Sequence, residues 1–439
     1  MRWGWLSPGG FLGLQNRWRV AGRAAVGSTP IHPRLKIPMM KNSVENKQLT
    51  AIISKYFNIE SSVIGETEDN YKIRFIGHLI GKDAEKGFEK ITETLKEYQY
   101  FAVIQPYLNK QELLIFPELS KRKQAKPTLH ILMFILTLIS VLFTGGLYAY
   151  EGELSNNFPQ NFLQLINSGW PFALAMLGIL AAHEFGHYFA GKNHGVDVTL
   201  PLFIPFPISI FGTMGAFISM RSIPKNKKEL FDIAITGPIC GLIVSIIVLF
   251  LGMSLSTLDT IPLSDDISYG LQMEGNSLLY LLIKYISFGK ILPQPPNLRG
   301  VPLLIFWMRF FFTGMPFPWG AEDVMLHPVA WAGWAGLFVT TINLIPVGQL
   351  DGGHIFHAVF GKKALRFIYP LILFTLVVFG FFWSGWWTWA AILFFFGQRT
   401  APPLNQISTL DSKRRVLGIV MMIIFLITFI PVPISIAGI

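Results

Sequence analysis

The sequence His183-Glu184-Phe185-Gly186-His187 places three ionisable residues inside the apolar stretch Trp170–Ala190, and it is the strongest indication of what this chain folds into. Ionisable side chains in a segment long enough to span a membrane are costly and indicate a functional site. Histidines at positions i and i+4 share one face of a helix, so both imidazoles can reach one Zn²⁺. Glu184 stands beside the first histidine and can accept the proton of a metal-activated water. The alternative interpretation is a polar cluster whose members satisfy one another between helices.

A second polar stretch supplies a candidate third ligand, since a catalytic zinc usually has three protein ligands. It reads Asn343-Leu344-Ile345-Pro346-Val347-Gly348-Gln349-Leu350-Asp351-Gly352-Gly353-His354 and ends a later apolar segment. Its proline breaks a helix and its glycine pair permits unusual backbone angles, so Asp351 can turn inward. A helix N-cap in the Gly-Gly turn is the alternative role for Asp351. His354 and His357 are rival ligands.

The composition is that of a membrane protein. Of 439 residues, 51% are hydrophobic and only 14% are charged, whereas soluble chains carry about 25% charged residues. The net charge of +10 comes from short basic clusters between apolar segments. This distribution is typical of cytoplasmic loops and argues against a nucleic-acid-binding protein. Cys240 is the only cysteine, so a disulfide scaffold is excluded.

We predict an α-helical polytopic membrane protein with about seven spans, within a range of roughly six to eight, since a span needs about 20 apolar residues. The run Trp383–Phe396 is short by this criterion, and Val301–Phe312 is short enough to be interfacial or re-entrant. The predicted spans are Leu129–Tyr150, Trp170–Ala190, Leu230–Ser256, Val329–Val347, Leu365–Phe382, Trp383–Phe396 and Val416–Ser435.

Basic clusters orient these spans by the positive-inside rule. They precede the first and last spans and also follow the second and fourth, whereas acidic residues follow the first and third. The rule places the N-terminal region and the histidine motif near the cytoplasmic side, and the C-terminus on the opposite side. The long segment Leu258–His327 is then predicted to lie opposite the zinc and to control access of a substrate helix. The alternative is a surface loop without that role.

Four regions of the chain differ in composition. Residues 1–44 are a basic arm without an acidic residue, interpreted as disordered, with a transit peptide as the alternative. Residues 45–120 are predicted to form a small soluble α+β domain. Residues 127–405 form the membrane core, and residues 406–439 form a basic loop and a final transmembrane helix. The elements predicted in the soluble domain are helices Gln48–Phe57 and Asp83–Tyr98 and strands Tyr71–Ile76, Tyr100–Pro106 and Glu112–Phe116.

The two polar motifs together resemble those of the site-2 protease family of intramembrane zinc metalloproteases, peptidase family M50. The resemblance implies that His183, His187 and Asp351 bind Zn²⁺ and that Glu184 is the general base. It also implies that residues 127–405 are an intramembrane metalloprotease core acting on transmembrane proteins. The residues that carry the resemblance are His183-Glu184-Phe185-Gly186-His187, Asn343-Leu344-Ile345-Pro346 and Leu350-Asp351-Gly352-Gly353.

Weaker features also match that family. The stretch Gly215–Met220 is similar to its membrane-associated β-hairpin, whose edge can pair with an extended substrate. Thr236-Gly237-Pro238 is similar to a Gly-Pro motif at the start of a core span, and Gly241 stands where many relatives have Asn. The residues predicted to bind substrate are Gly215, Phe217, Ile218, Ser219, Met220 and Asn343.

The N-terminal domain is loosely similar to the plant-plastid and cyanobacterial branch of the family. That branch usually shows Gly-Asn-Leu-Arg where this chain has Arg74-Phe75-Ile76-Gly77-His78-Leu79, a departure from the pattern. Pro402-Pro403-Leu404-Asn405 is also similar to that branch. We expect an integral, multi-pass protein of a bacterial-type cell membrane, with a plastid membrane as the alternative. Its active site is expected near the cytoplasmic side.

The expected function is regulated intramembrane proteolysis by a zinc metalloendopeptidase. Its expected partners are transmembrane protein substrates and membrane lipid, with no nucleic acid, and the oligomeric state is left open. One rival is a metal or ion transporter that uses the same His/Asp cluster. Transporter sites lie between internal repeats, which the sequence does not show, and Glu184 would have no role there. A binding scaffold without proteolytic activity is the second rival, against which the complete set of ligands and base argues.

Overall fold

The computed structural model describes residues 43–65, 71–81, 84–117, 127–153, 155–263, 271–295, 300, 302–398 and 401–437. Nearly all of the predicted basic arm lies outside these residues. The basic cluster before the first predicted span and the acidic pair Asp265-Asp266 also lie outside them.

A small α+β unit precedes the first long helix. Its elements are α1 (Ser43–Ser54), β1 (Phe57–Ile64), β2 (Ile73–Leu79), α2 (Ala84–Glu97), β3 (Tyr100–Tyr107) and β4 (Lys110–Pro117). The four strands form one antiparallel sheet in the order β1-β2-β4-β3. Phe88, Ile91 and Leu95 of α2 are buried in the core of this unit, as the predicted apolar stripe requires.

Strand β1 was not predicted. The predicted helix Gln48–Phe57 is too long, because α1 ends at Ser54 and Phe57 begins the strand. Only Phe57 is fully buried along β1, and most of the other side chains are exposed. A strand at the edge of a sheet buries few side chains, so it lacks the polar–apolar alternation that identifies a strand in sequence.

Ten further helices follow within the residues that the structure describes. Each of the seven predicted spans overlaps one of them. They are α3 (Pro127–Ala149), α4 (Phe158–Ser168), α5 (Trp170–Asn193), α6 (Lys227–Ser254), α7 (Leu278–Phe288), α8 (Leu303–Thr313), α9 (Pro328–Asn343), α10 (Asp351–Phe379), α11 (Gly385–Phe396) and α12 (Ser412–Thr428).

Few of these helices are long and apolar enough to cross a membrane unaided. Within the described residues, α3 and α6 meet that criterion, and a third span results if α4 and α5, which meet at 57°, are counted together. Helix α10 is broken at Gly361, whose φ of 79° lies in the left-handed region. Helices α9, α11 and α12 are shorter than the roughly 20 residues of a full span. The count of about seven spans therefore stays a prediction.

In the described part of the chain, three pairs of short strands flank the bundle. The strands are β5 (Leu202–Pro205), β6 (Thr213–Phe217), β7 (Thr257–Thr260), β8 (Leu271–Glu274), β9 (Glu322–Met325) and β10 (Ile434–Ala437). Strands β5 and β6 form an antiparallel hairpin, β7 pairs with β9, and β8 pairs with β10. The last two pairs, together with α7 and α8, form a cap at the end of the bundle where α6 ends and α9 begins.

The cap is an integral part of the bundle. Tyr280 and Ile283 of α7 belong to the main hydrophobic core, and α7 contacts both α6 and α12. The predicted short apolar segment Val301–Phe312 corresponds to α8. The segment Leu258–His327 is thus not a loop lying on the surface, and removing it would expose core residues of the bundle. Its control of substrate access stays a prediction.

Helix α5, which carries the histidine motif, packs against α6 and α9 at the centre of the bundle. Close helix contact depends on glycines. A Cβ atom at Gly336 of α9 would lie 2.4 Å from the Ser245 hydroxyl, and one at Gly333 would lie 2.8 Å from Leu249. Small residues at these crossings allow the backbones to approach closely, as in other membrane helix interfaces.

A buried ion cluster holds the cap together. Lys284 of α7 is fully buried, with its ammonium 3.0 Å from Glu274 of β8 and 3.2 Å from Asp323 of β9. The Tyr280 hydroxyl donates to the same Glu274 carboxylate. Burial opposes the charge on Lys284, but the neighbouring carboxylates of Asp323 and Glu274 hold its pKa above the ordinary value. The cluster therefore links α7 to two strands that are distant in the chain.

We predict that Lys284→Ala destabilises the protein by about 3–5 kcal/mol, because it leaves two buried carboxylates without a cation. The matched control is Lys290→Ala, whose partner Glu322 is 2.8 Å away but whose side chain is 43% exposed. An exposed pair contributes about 0.2–1 kcal/mol, so this control should unfold close to the wild type. Thermal unfolding in detergent measures both. Equal shifts of the two variants would contradict the assigned role of Lys284.

Candidate metal centre

Three possible ligand atoms converge between α5 and the start of α10. The Nε2 atoms of His183 and His187 are 3.2 Å apart. Asp351 Oδ2 lies 3.3 Å from His183 Nε2 and 3.2 Å from His187 Nε2. Both histidines are buried, and the Asp351 side chain is only 13% exposed. Among the residues described, these three form the one group of His, Cys, Asp or Glu side chains suited to a metal ion.

The spacing of the three atoms fits zinc. Tetrahedral ligands at about 2.0–2.1 Å from Zn²⁺ lie about 3.3 Å from one another, and the three observed separations are 3.2–3.3 Å. Two imidazoles and one carboxylate are also the donor set of a zinc site that keeps its fourth position for water or substrate. The arrangement therefore can hold one zinc ion in a catalytic rather than a closed structural geometry.

Helix α6 orients the second histidine. His187 Nδ1 donates to the Ile233 carbonyl at 2.7 Å, which leaves Nε2 free to bind a metal. A Cβ atom at Gly237 would lie 2.1 Å from His187 Nε2, so only glycine fits there. At Gly241 a Cβ would lie 3.1 Å from His183 Nδ1. The glycines therefore let the backbone of α6 approach both imidazoles.

A tight loop positions Asp351. Residues 344–350 connect α9 to α10, with Gly348 at a φ of 68°. A Cβ atom at Gly352 would lie 2.0 Å from the Leu344 carbonyl oxygen, which explains the glycine after the aspartate. Leu350, not Asp351, is the N-cap residue of α10. The alternative role of Asp351 as a helix N-cap is therefore wrong, and its carboxylate is directed at the two histidines instead.

The two rival histidines lie on the following turns of α10. His354 lines the same cavity as the three-residue group, but His357 is not among its lining residues. Neither belongs to the metal-binding group found within the described chain. Both are buried.

Glu184 and the group of three line one cavity of about 400 Å³. The Glu184 side chain is buried, and Ile218 lines the same cavity. Asn343 Nδ2 lies 3.4 Å from His183 Nε2, so the amide also faces the centre. The remaining walls are mainly apolar. A carboxylate, an amide and a possible metal centre are thus gathered in a largely apolar chamber.

The predicted substrate-binding stretch is only partly a strand. Strand β6 includes Gly215 and Phe217 but ends there, and both residues line the cavity. Ile218 and Met220 also line it, yet their side chains are buried against Val198 and its neighbours. Ser219 is not among the lining residues, because its N–H donates to the Thr199 hydroxyl and its carbonyl accepts from the Thr199 N–H. The uninterrupted edge expected over Gly215–Met220 is therefore shorter than predicted.

Several lining residues have no signal in the sequence. Phe338, Trp383 and Trp389 form aromatic walls of the cavity, but aromatic residues are common in any membrane segment. The carbonyl of Ile233 fixes the tautomer of His187 through a backbone atom that every residue has. Only the tertiary structure could identify these contributions.

Comparison with known proteins shows that part of the chain is similar to a protein family. Residues 171–382 match the model of Peptidase family M50, a range that includes both polar motifs. The chain is 29% identical over 397 residues to "Probable zinc metalloprotease EGY1, chloroplastic" of Oryza sativa subsp. japonica, covering 82% of this chain and 62% of the relative. It is 25% identical over 375 residues to "Probable zinc metalloprotease EGY2, chloroplastic" of Arabidopsis thaliana, covering 83% and 61%. The resemblance to the site-2 protease family and its plant-plastid branch is confirmed.

The chain spans about three fifths of the length of these curated relatives. The match to the family model covers residues 171–382 and so extends well beyond the two motifs. That range also contains the β5–β6 hairpin, the crossings between α6 and α9 and the loop that carries Asp351.

We predict that purified protein contains about one zinc per chain, and that His183→Ala and Asp351→Ala each lower this to about one tenth or less, since each removes one of three ligands. The matched control is His194→Ala. His194 caps the C-terminus of the same helix but pairs with Asp232 at 3.0 Å, outside the group of three. Elemental analysis measures the metal. Full zinc content in His183→Ala would contradict the assigned ligand set.

Proposed function

We propose that this relative of peptidase family M50 is an intramembrane zinc metalloendopeptidase that hydrolyses peptide bonds within transmembrane segments of other proteins. The observation that carries the proposal is the position of Glu184. Its carboxylate lines the same cavity as the three converging ligand atoms. A metal site with an adjacent buried carboxylate and an open position suits hydrolysis by activated water.

Each side chain at the site has a separate role in the proposed hydrolysis. Zinc bound by His183, His187 and Asp351 would supply a Lewis acid that activates water and polarises the scissile carbonyl. Glu184 takes a proton from the attacking water and delivers it to the leaving nitrogen. Asn343 donates its amide N–H to the carbonyl oxygen of the bound peptide, since Nδ2 already faces the centre. The peptide bond is cleaved in this way without a covalent intermediate.

Strand β6 receives the substrate. It pairs with β5 along one edge in a two-stranded sheet, and its residues Gly215 and Phe217 line the cavity. A transmembrane helix hides its carbonyl groups in its own hydrogen bonds, so the substrate must unwind before cleavage. Pairing with the second edge of β6 replaces those hydrogen bonds, as in β-strand addition. The apolar walls accommodate the side chains of a membrane segment.

The protein is an integral membrane protein in this proposal, in contact with lipid and with transmembrane substrates. The centre lies towards the end of the bundle that carries the N-terminal α+β unit, because α5 ends and α6 begins there. Basic residues flank the helices at that end, which supports a cytoplasmic-side or equivalent location. The relatives are named chloroplastic, which favours a plastid membrane over the bacterial-type cell membrane expected from sequence.

The transporter hypothesis assigns no task to Glu184, and the similarity to a peptidase family does not favour it. The two hypotheses differ in one measurable respect. A transporter needs the metal-binding side chains but not a proton acceptor beside them, whereas hydrolysis needs both.

We predict that Glu184→Gln retains zinc but loses about 10²- to 10⁴-fold in cleavage rate, because an amide cannot take a proton from water. The assay uses a transmembrane reporter in detergent or bicelles, with zinc content measured on the same samples. Glu93→Gln, an exposed glutamate of α2, is the matched control and should cleave at the wild-type rate. Cleavage at the wild-type rate by Glu184→Gln would refute the proton-acceptor role. Zinc-loaded wild-type protein that cleaves no membrane substrate would refute the proposed function.

A further inference from the structure

Backbone hydrogen bonds connect the N-terminal sheet to a segment of the membrane core. Strand β3 is at the edge of that sheet, and residues 404–406 lie along it in parallel. The Ile104 N–H donates to the Leu404 carbonyl at 2.9 Å, and the Gln406 N–H donates to the Ile104 carbonyl at 3.0 Å. Residues 401–408, here called the linking segment, lie between α11 and α12 and form a parallel β-bridge with the edge of the sheet, from Asn405 to Ile104.

The linking segment also pairs on its other side. The Leu404 N–H donates to the Pro224 carbonyl at 3.0 Å, and the Asn405 N–H donates to the Lys225 carbonyl at 2.8 Å. Residues 224–226 lead directly into α6, the helix that orients His187. Two backbone hydrogen bonds therefore join β3 to the linking segment, and two more join the linking segment to residues 224–225. They connect the N-terminal sheet to the start of α6.

Asn405 fixes the shape of the linking segment. It is only 2% exposed, and its side-chain Oδ1 accepts from the N–H groups of Ile407 at 3.1 Å and Ser408 at 3.0 Å. The Ser408 hydroxyl in turn accepts from the Lys227 N–H at the first turn of α6. Buried hydrogen bonds of this kind are costly to lose, because the groups left behind remain unsatisfied.

Ile223 joins two hydrophobic clusters. It packs against the core of the N-terminal unit, together with Leu404 of the linking segment. It also packs against the cluster that contains Ile218 and Met220. Those two residues line the cavity that also contains Glu184 and the three converging ligand atoms. A continuous set of contacts thus runs from the N-terminal core to the substrate side of the centre.

An ion pair reinforces the same contact. Lys228, in the first turn of α6, is 2.9 Å from Glu85 of α2. Both side chains are about one third exposed, at 35% and 30%. A pair with this exposure adds little stability. Because both side chains reach solvent, either charge can be changed by substitution without disturbing a hydrophobic core.

We propose that the N-terminal unit, residues 43–117, positions the segment 213–226 through the linking segment and thereby sets the affinity of the site for a transmembrane substrate. This inference rests on the proposed function, and it deepens it by assigning a regulatory role to a unit outside the catalytic core. Asn405 and Ile223 are positioning residues, because they act through the segment that lines the cavity. A ligand that displaces the N-terminal unit would change substrate binding without altering the chemical step.

The test uses the full-length, zinc-loaded protein. Asn405→Ala removes the acceptor of two buried N–H groups, whereas Asn405→Asp keeps an acceptor at the same place. Gln406→Ala is the matched control, because Gln406 contributes its backbone to the pairing. Hydrogen exchange of peptides covering 213–226 reports the positioning directly. The Michaelis constant and turnover number for a transmembrane reporter report the effect on the reaction.

In Asn405→Ala, exchange over 213–226 is expected to rise about tenfold through local opening. The Michaelis constant should rise about three- to tenfold, with turnover number and zinc content unchanged, because the loss is one of binding. Asn405→Asp and Gln406→Ala should remain close to the wild type in all measurements. Faster exchange confined to 401–408, or a fall in turnover number that follows zinc loss, would overturn the proposal.

The ion pair provides a second test if Asn405→Ala does not fold. Glu85→Lys places like charges together and should raise exchange over 213–226 about two- to fivefold. The double variant Glu85→Lys with Lys228→Glu restores opposite charges and should restore slow exchange. Unchanged exchange in Glu85→Lys would count against the coupling. If zinc-loaded wild-type protein shows this coupling but cleaves nothing, the proposed function fails while the positioning role stands.

Discussion

The meeting of two histidines and two carboxylates inside an apolar bundle is the constraint on which the rest of the structure depends. Polar and charged groups are expensive to bury unless they are paired or bind a metal. Their convergence requires α5, α6 and the start of α10 to approach more closely than ordinary side chains allow. Gly237 and Gly352 provide that approach, since a Cβ at either position would overlap a site imidazole or a backbone carbonyl. Gly333 and Gly336 likewise let α9 pack closely against α6.

The two ends of the bundle contribute differently to this centre. At one end, the cap ties the end of α6 and the start of α9 through paired strands and the fully buried Lys284. At the other end, the start of α6 is paired through the linking segment with the N-terminal sheet. Helix α6 orients His187 between these two attachments. A helix held at both ends is well suited to fix the orientation of the His187 imidazole, because neither end is free to rotate the backbone away from it.

Hydrolysis within a membrane has two requirements. The first is water, which the bilayer core excludes, and the second is an unwound peptide, whose backbone groups find no hydrogen-bond partners there. In the proposed function, the position of the centre near one end of the bundle, in a cavity of about 400 Å³, would meet the first requirement. Strand β6 addresses the second, since a backbone edge beside the cavity can replace the hydrogen bonds that an unwinding helix loses. If substrate binding and metal binding are separated in this way, residues 218–226 could adjust the first without moving His183, His187 and Asp351.

The sequence by itself determined the apolar character of the chain, the helices and the two polar motifs. It could do so because helical spacing puts His183 and His187 on one face, whatever surrounds them. It also pointed to Asp351, 164 residues beyond His187, as a third ligand, but the contact with both imidazoles is set by how distant helices pack. Strand β1 and the early end of β6 escaped prediction, because edge position and local pairing decide them. The carbonyl of Ile233, the glycine approach to His187 and the link through Asn405 were decided by the tertiary structure, since each joins segments that are distant in the chain and meet only when the helices pack.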